Sequence, residues 1–216
     1  MKLKICGMKY NPVEVSELRP DYLGFIFWEP SKRYFDRTIS DKLAGAQRVG
    51  VFVDAVPEDI VLQLYEHNLD AIQLHGSEKP GYCNNLRELI HSRHSQQIDL
   101  IKAFAIDEDF EFDVLKEYEA SIDFFLFDTR AELPGGTGRQ FDWQLLRNYN
   151  LNKPYFLSGG IGPADADALK SFQRRPEAEF CHGIDVNSGF ETEPGLKNIE
   201  ALDSFMKEIG YLPEKE

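Results

Sequence analysis

Two residue types able to carry protons stand at the ends of apolar runs in this chain. Cys6 closes the alternating stretch 2–6, and Asp128 follows residues 122–127, which are almost wholly apolar and aromatic. A thiol and a carboxylate brought to one mouth could move two protons, one accepting and one donating. Each also has a plainer reading. Most free cysteines are small buried hydrophobes, and an aspartate after a strand often caps a turn or helix.

Glycine-rich loops follow three successive late runs: Pro134-Gly135-Gly136-Thr137-Gly138, Ser158-Gly159-Gly160-Ile161-Gly162 and Asn187-Ser188-Gly189. Glycine lets a backbone N–H approach an anion closely, and a helix N-terminus adds a favourable dipole. Any one of these loops could simply turn the chain. Three in succession favour phosphate, with Gly136, Gly138, Gly159, Gly160, Ser188 and Gly189 as its candidate ligands. Arg33, in Ser31-Lys32-Arg33-Tyr34, carries a planar fork that matches a carboxylate, although composition alone favours a solvated surface residue. His75 reads as a structural donor at a strand end in preference to a proton-transfer helper. Asp185 either orients a hydroxyl or pairs with Lys4 inside a barrel mouth. His91, His94 and His182 show no metal-ligand spacing, so no metal is assigned.

These residues need a scaffold that gathers strand ends. Strand patterns fall at 2–6, 22–27, 49–53, 70–74, 99–105, 122–127, 154–157 and 180–185. Helix patterns fall between them at 12–18, 57–67, 79–90, 110–118, 143–148 and 163–172, with a last helix at 196–209 and a short one capped by Ser40. Strand alternating with helix predicts a parallel sheet. Eight such units predict a single (βα)8 TIM barrel spanning residues 1–216, somewhat shorter than the ~250 residues typical of the fold. An open doubly wound sheet usually has fewer strands and a Gly-rich first turn, whereas Cys6-Gly7-Met8-Lys9 holds one glycine. In a barrel, ligands and catalytic side chains gather at the C-terminal strand ends, and phosphate often sits after strands seven and eight.

Charge and composition narrow the partners. With 37 acidic and 24 basic residues the formal charge is -13, which argues against nucleic acid and against an anionic membrane surface. An anionic substrate would need locally positive or N–H-rich walls. Cys6, Cys83 and Cys181 are an odd number without a C-x-x-C pair. That disfavours a disulfide framework and suits a reducing, cytoplasmic setting. Cys83 and Cys181 are expected to pack. The start of the chain runs straight into a strand and does not read as a signal peptide, and no apolar run approaches ~20 residues.

Lys4-Ile5-Cys6-Gly7, Gly50-Val51-Phe52-Val53, Gln73-Leu74-His75-Gly76, Phe127-Asp128, Gly135-Gly136-Thr137-Gly138 with Phe141-Asp142-Trp143, Leu157-Ser158-Gly159-Gly160 and Asp185-Val186-Asn187-Ser188-Gly189 together resemble the phosphoribosylanthranilate isomerase family of tryptophan biosynthesis. The resemblance spans nearly the whole chain. It implies a cofactor-free (βα)8 barrel, monomeric or homodimeric, that performs an Amadori rearrangement on a small phosphoribosyl substrate. It further implies Cys6 as general base, Asp128 as general acid and Arg33 as the holder of the anthranilate carboxylate. Two positions depart from the family pattern. Lys32 replaces a proline in the second loop, and Asn187 replaces the first of two serines after strand eight. The nearest alternative is the sister isomerase of histidine biosynthesis, which uses aspartates at both catalytic strand ends where this chain has Cys6. A non-catalytic phosphosugar-binding barrel would have no need of both Cys6 and Asp128.

Overall fold

Strand residues alternate between two environments, and the alternation builds the site. In the computed structural model, which describes residues 1–94, 97–129 and 141–213, β1 (Lys2–Ile5) sends Leu3 and Ile5 outward into the layer beneath the helices. Lys4 therefore points into the ring, as does Cys6 just beyond the strand. The other strands are β2 (Tyr22–Ile26), β3 (Gln47–Phe52), β4 (Ala71–Leu74), β5 (Asp99–Ile106), β6 (Phe124–Thr129), β7 (Tyr155–Leu157) and β8 (Cys181–Val186). Each pairs in parallel with the next, and β8 returns to β1 to close the barrel. The closing register sets Lys4 opposite Asp185. Tyr22, Val49, Ala71, Ile101, Leu126 and Phe156 fill the interior as a packed plug. Below the mouth the barrel is thus a core and not a channel.

Helices α1 (Pro12–Glu17), α2 (Pro57–His67) and α3 (Pro80–Arg93) all open on proline, whose missing N–H costs nothing in a first turn. The predicted helices after β5 and β6 are instead 3-10 helices, Phe112–Glu117 and Trp143–Asn148. Each buries its first residue and the one three further on, Phe112 with Leu115 and Trp143 with Leu146. That spacing suits three residues per turn. After β7 a short 3-10 turn, Pro163–Asp165, leads into α4 (Ala166–Phe172).

Two further differences from the sequence pattern occur near the mouth. The short helix expected after Ser40 is absent, and Ser40 Oγ instead accepts from Lys42 N. The segment between β2 and β3 lies against the barrel as irregular chain, with Phe35 packed edge-on to Phe25 and beside Phe27 and His67. The last helix, α5 (Ile199–Glu208), starts later than its apolar pattern suggests. Ahead of it, β9 (Glu191–Glu193) and β10 (Leu196–Lys197) form an antiparallel hairpin turned by Gly195 at φ +90. Among the described residues no helix is long and apolar enough to cross a membrane.

Candidate active site

Cys6 continues the β1 ladder by donating its N–H to Val186 O at 2.9 Å. Its thiol fits because β2 carries Gly24 opposite. A Cβ at that position would lie 2.8 Å from Cys6 Sγ. The side chain is buried, yet it lines the cavity at the C-terminal end of the barrel.

Asp128 reaches the same cavity from β6. The strand runs through Asp128 and Thr129, past the end at Phe127 suggested by the aromatic run. Asp128 is therefore a strand residue that shares its inward face with Leu126. Its Oδ1 accepts from Thr129 N at 2.8 Å, and its Oδ2 stands 3.4 Å from His75 Nε2. His75, at the end of β4, contacts Gln73 Nε2 through Nδ1 at 2.9 Å. As an amide donor, Gln73 makes Nδ1 the acceptor, which leaves the ring proton on Nε2, facing Asp128.

Beneath these groups lies a buried ion pair. Lys4 Nζ donates to Asp185 Oδ1 at 2.9 Å, both side chains being almost fully enclosed. Of the two readings of Asp185, pairing is the one seen here. Burial pulls Lys4 down, but the attraction of Asp185 and then of Cys6 outweighs it and raises Lys4 above the ordinary lysine value. For Cys6, burial is the largest influence and pushes the thiol up. Lys4 and Lys197 both pull it back.

Arg33 also lines the cavity, but its guanidinium is not idle. Nε donates to Glu191 Oε1 at 2.9 Å and Oε2 at 3.0 Å, and Nη2 donates to Oε2 at 2.6 Å. Nη1 has no hydrogen-bond partner among the described residues. The loop that carries Arg33 is pinned despite Lys32. Arg33 N donates to Ser31 Oγ, Tyr34 N to Ser31 O, and Tyr34 bridges to Ile26 of β2.

The late loops form another part of the wall. Ser158, Gly159, Gly160, Ile161 and Ser188 line the cavity. Gly159 sits at φ +96, and a Cβ there would come 2.2 Å from Thr129 Oγ1. Only glycine meets both demands. Gly189 packs against the neighbouring loop instead of lining the cavity, its Cβ position 2.5 Å from Ile161 O. Gly136 and Gly138 lie outside the described residues. Cys83 is buried in the outer core, and Cys181 packs at its edge.

Sequence reasoning missed Gln73, Glu191 and Lys197 as parts of this arrangement. Gln73 carried a signal, being a polar residue in the apolar run 71–74. Glu191 and Lys197 carried none, because the hairpin that folds them under Arg33 has no distinctive pattern.

A parallel eight-stranded barrel whose mouth gathers a thiol, a carboxylate, an arginine and two glycine-bearing loops belongs to the class of barrels equipped for acid–base work on an anionic substrate. Residues 3–208 match the model of the N-(5'phosphoribosyl)anthranilate (PRA) isomerase family. The protein of that name from Parabacteroides distasonis is 43% identical, over 97% of this chain and 93% of its own length. The chain belongs to the phosphoribosylanthranilate isomerase family. The Thermus thermophilus isomerase shares the fold with a TM-score of 0.79 at 23% identity, covering 97% of this chain and 98% of its own. A second solved isomerase, in complex with reduced 1-(o-carboxyphenylamino)-1-deoxyribulose 5-phosphate, is 28% identical with a TM-score of 0.75, covering 98% of this chain and all of its own.

Proposed function

We propose that this barrel carries out its family's reaction with Cys6 as general base and Asp128 as general acid. The reaction is the Amadori rearrangement of N-(5-phosphoribosyl)anthranilate to 1-(2-carboxyphenylamino)-1-deoxyribulose 5-phosphate, the isomerase step of tryptophan biosynthesis. The observation that carries the assignment is that Cys6 and Asp128, from β1 and β6, line one cavity with Arg33.

Asp128 gives a proton to the ribose ring oxygen. The C1–O bond breaks while the anilino nitrogen lone pair closes a C1=N bond, leaving a cationic imine. Cys6 then takes the proton from C2; the C2–H electron pair forms C1=C2 while the C1=N π pair returns to nitrogen. The resulting enaminol tautomerises to the ketone. A thiolate forms more readily beside that cation, and Lys4 and Lys197 act in the same direction against burial. His75 turns its Nε2 toward Asp128 at 3.4 Å.

Arg33 takes the anthranilate carboxylate, and Ser158, Gly159, Gly160 and Ser188 take the phosphate. Backbone donors suit an acidic protein, because they bind an anion without adding positive charge. Retention of the catalytic thiol points to the reducing cytoplasm.

The test is turnover of freshly made phosphoribosylanthranilate, followed by loss of anthranilate fluorescence. Turnover that disappears in Cys6→Ser and in Asp128→Asn supports the assignment. Turnover of the histidine-pathway substrate in place of this one overturns it, and so does binding without turnover.

A further inference from the structure

Lys197 lies behind Arg33, outside the cavity wall and fully enclosed, and has no part in substrate recognition in the account above. Its nitrogen meets three acceptors: Asn187 O at 3.1 Å, Asn187 Oδ1 at 2.8 Å and Glu191 Oε1 at 2.7 Å. Three acceptors around one nitrogen call for three N–H donors, which an ammonium has and a neutral amine lacks. Glu191 in turn is saturated. Its Oε1 accepts from Lys197, from Gly195 N at 3.1 Å and from Arg33 Nε, and its Oε2 takes Arg33 Nη2.

The arrangement fixes how Arg33 can meet a ligand. Glu191 occupies the Nε–Nη2 edge of the guanidinium, so the Nη1 side is the one left to face the cavity. Close approach is made possible by Gly7, where a Cβ would lie 2.5 Å from Asn187 Oδ1 and 2.7 Å from Arg33 Cδ. Asn187, the residue that departs from the family pattern, is thereby tied to Lys197. Charge is the more telling feature. Arg33 and Glu191 alone are neutral and would offer an incoming carboxylate a fork without a field. Adding Lys197 gives two cations and one anion, a net charge of plus one behind the fork.

We infer that Lys197 is a positioning residue for substrate recognition: it neutralises Glu191, so that Arg33 is both clamped by one edge and still electrically positive toward the anthranilate carboxylate. The inference rests on Arg33 being the carboxylate-binding residue. Burial, the largest influence, takes Lys197 below the ordinary lysine value against the attraction of Glu191 and then Cys6, so its charge rests on the three acceptors around it.

The experiment is steady-state kinetics on the full chain with four variants. Arg33→Ala tests the underlying reading, and an unchanged kcat/KM there removes that reading whatever Lys197 does. Lys197→Met leaves a neutral Arg33–Glu191 pair, and KM should rise on the order of tenfold or more, with kcat falling less. Glu191→Gln combined with Lys197→Met restores plus one at Arg33 with neutral neighbours. Replacing both partners of a buried ion pair is better tolerated than removing one, so this double variant also guards against loss of fold in the single. Its KM should return to within about fivefold of the unmodified enzyme. Lys197→Arg, which retains the charge, should stay closer to the unmodified enzyme than Lys197→Met. A double variant whose KM remains more than about tenfold high, with Arg33→Ala impaired as expected, shows that Lys197 acts through packing and overturns the inference.

Discussion

His75 Nε2 lies 3.4 Å from Asp128 Oδ2, although the two residues come from β4 and β6, with β5 between them. The contact bridges over β5, whose Ala105 is the register partner of Asp128. On the proposed assignment of Asp128 as the acid, His75 is its accessory and not a second, independent proton carrier.

Removal of His75 should therefore act through Asp128. The contact is longer than an ordinary hydrogen bond and partly exposed, and such pairs are typically worth about 0.2–1 kcal/mol, so His75→Ala should lower kcat by no more than about fivefold. In an Asp128→Asn background the same change should add almost nothing, because the group it serves is already gone. Additive losses in the double variant would make His75 an independent participant.

The proton carriers themselves should show larger effects. General acid–base catalysis contributes about 10²–10⁴-fold per group, so Cys6→Ser and Asp128→Asn should each lose at least a hundredfold in kcat. Ligand affinity should change little. A variant that keeps more than about a tenth of the activity is missing no proton carrier.

The phosphate wall can be probed at Gly159. Alanine there meets Thr129 at 2.2 Å and must also hold φ +96. A left-handed conformation costs a non-glycine residue about 1–2 kcal/mol, and the clash adds to that. Gly159→Ala should weaken competitive inhibition by inorganic phosphate at least tenfold. A crystal soaked in sulfate should show the anion against Ser158, Gly160 and Ser188. Inhibition as strong as in the unmodified enzyme would move the phosphate elsewhere.

Lys102 and Glu78 offer a stability test. Their side chains are almost fully buried 3.1 Å apart, and Lys102 also donates to Gly76 O and Ala103 O at 2.9 Å. Glu78 Oε1 accepts from Asp54 N, and its two oxygens share Gly76 N. Leaving one buried charge unpaired costs about 3–5 kcal/mol, so Glu78→Gln should shift the urea midpoint strongly. The loop holding His75 should loosen with it, and kcat should fall further than temperature stability alone explains.

Acid should weaken the fold through two histidines. Burial lowers the pKa of His67, which stacks on Phe27, and of His182, which sits among Tyr22, Phe124 and Phe156. A base whose folded pKa lies below its unfolded value binds fewer protons when folded. Stability is then complete above about pH 6.5 and declines as pH falls from there toward the lowered folded values. Urea midpoints should drop between pH 7.5 and 5.5, and His182→Gln should flatten that dependence. A flat profile in the unmodified protein would contradict it.

The barrel was legible because its strands are short apolar runs that end in chemistry. Cys6 and Asp128 were readable at the strand ends, since a polar residue that breaks an aromatic run must face something. Lys4 was read only as a possible partner of Asp185 in a barrel mouth, one of two alternatives, and the pairing is the one found. Arg33 was harder. Nothing local says that Glu191, so distant in sequence, will hold it, because long-range ion pairs leave no periodic trace. The helix assigned to 196–209 failed at its start because the apolar pattern continues through Leu196, while Gly195 turns the chain into a hairpin. The segment after β2 failed for the opposite reason. Ser40 has the chemistry of a cap, but its hydroxyl closes a local turn and no helix follows.

The pairing of Lys4 with Asp185 joins positions 181 residues apart, on the first and eighth strands of the barrel. During synthesis at about 5–20 residues per second, Cys6 and Lys4 must wait for Asp185, 181 residues after Lys4, before the supporting pair can form. The intermediate strands can zip pairwise over short separations, and the aromatic layers around Phe125 and Tyr155 can cluster as they do. Refolding followed by aromatic fluorescence should thus run ahead of refolding followed by turnover. Enzymatic activity becomes a time stamp for the moment β8 closes onto β1.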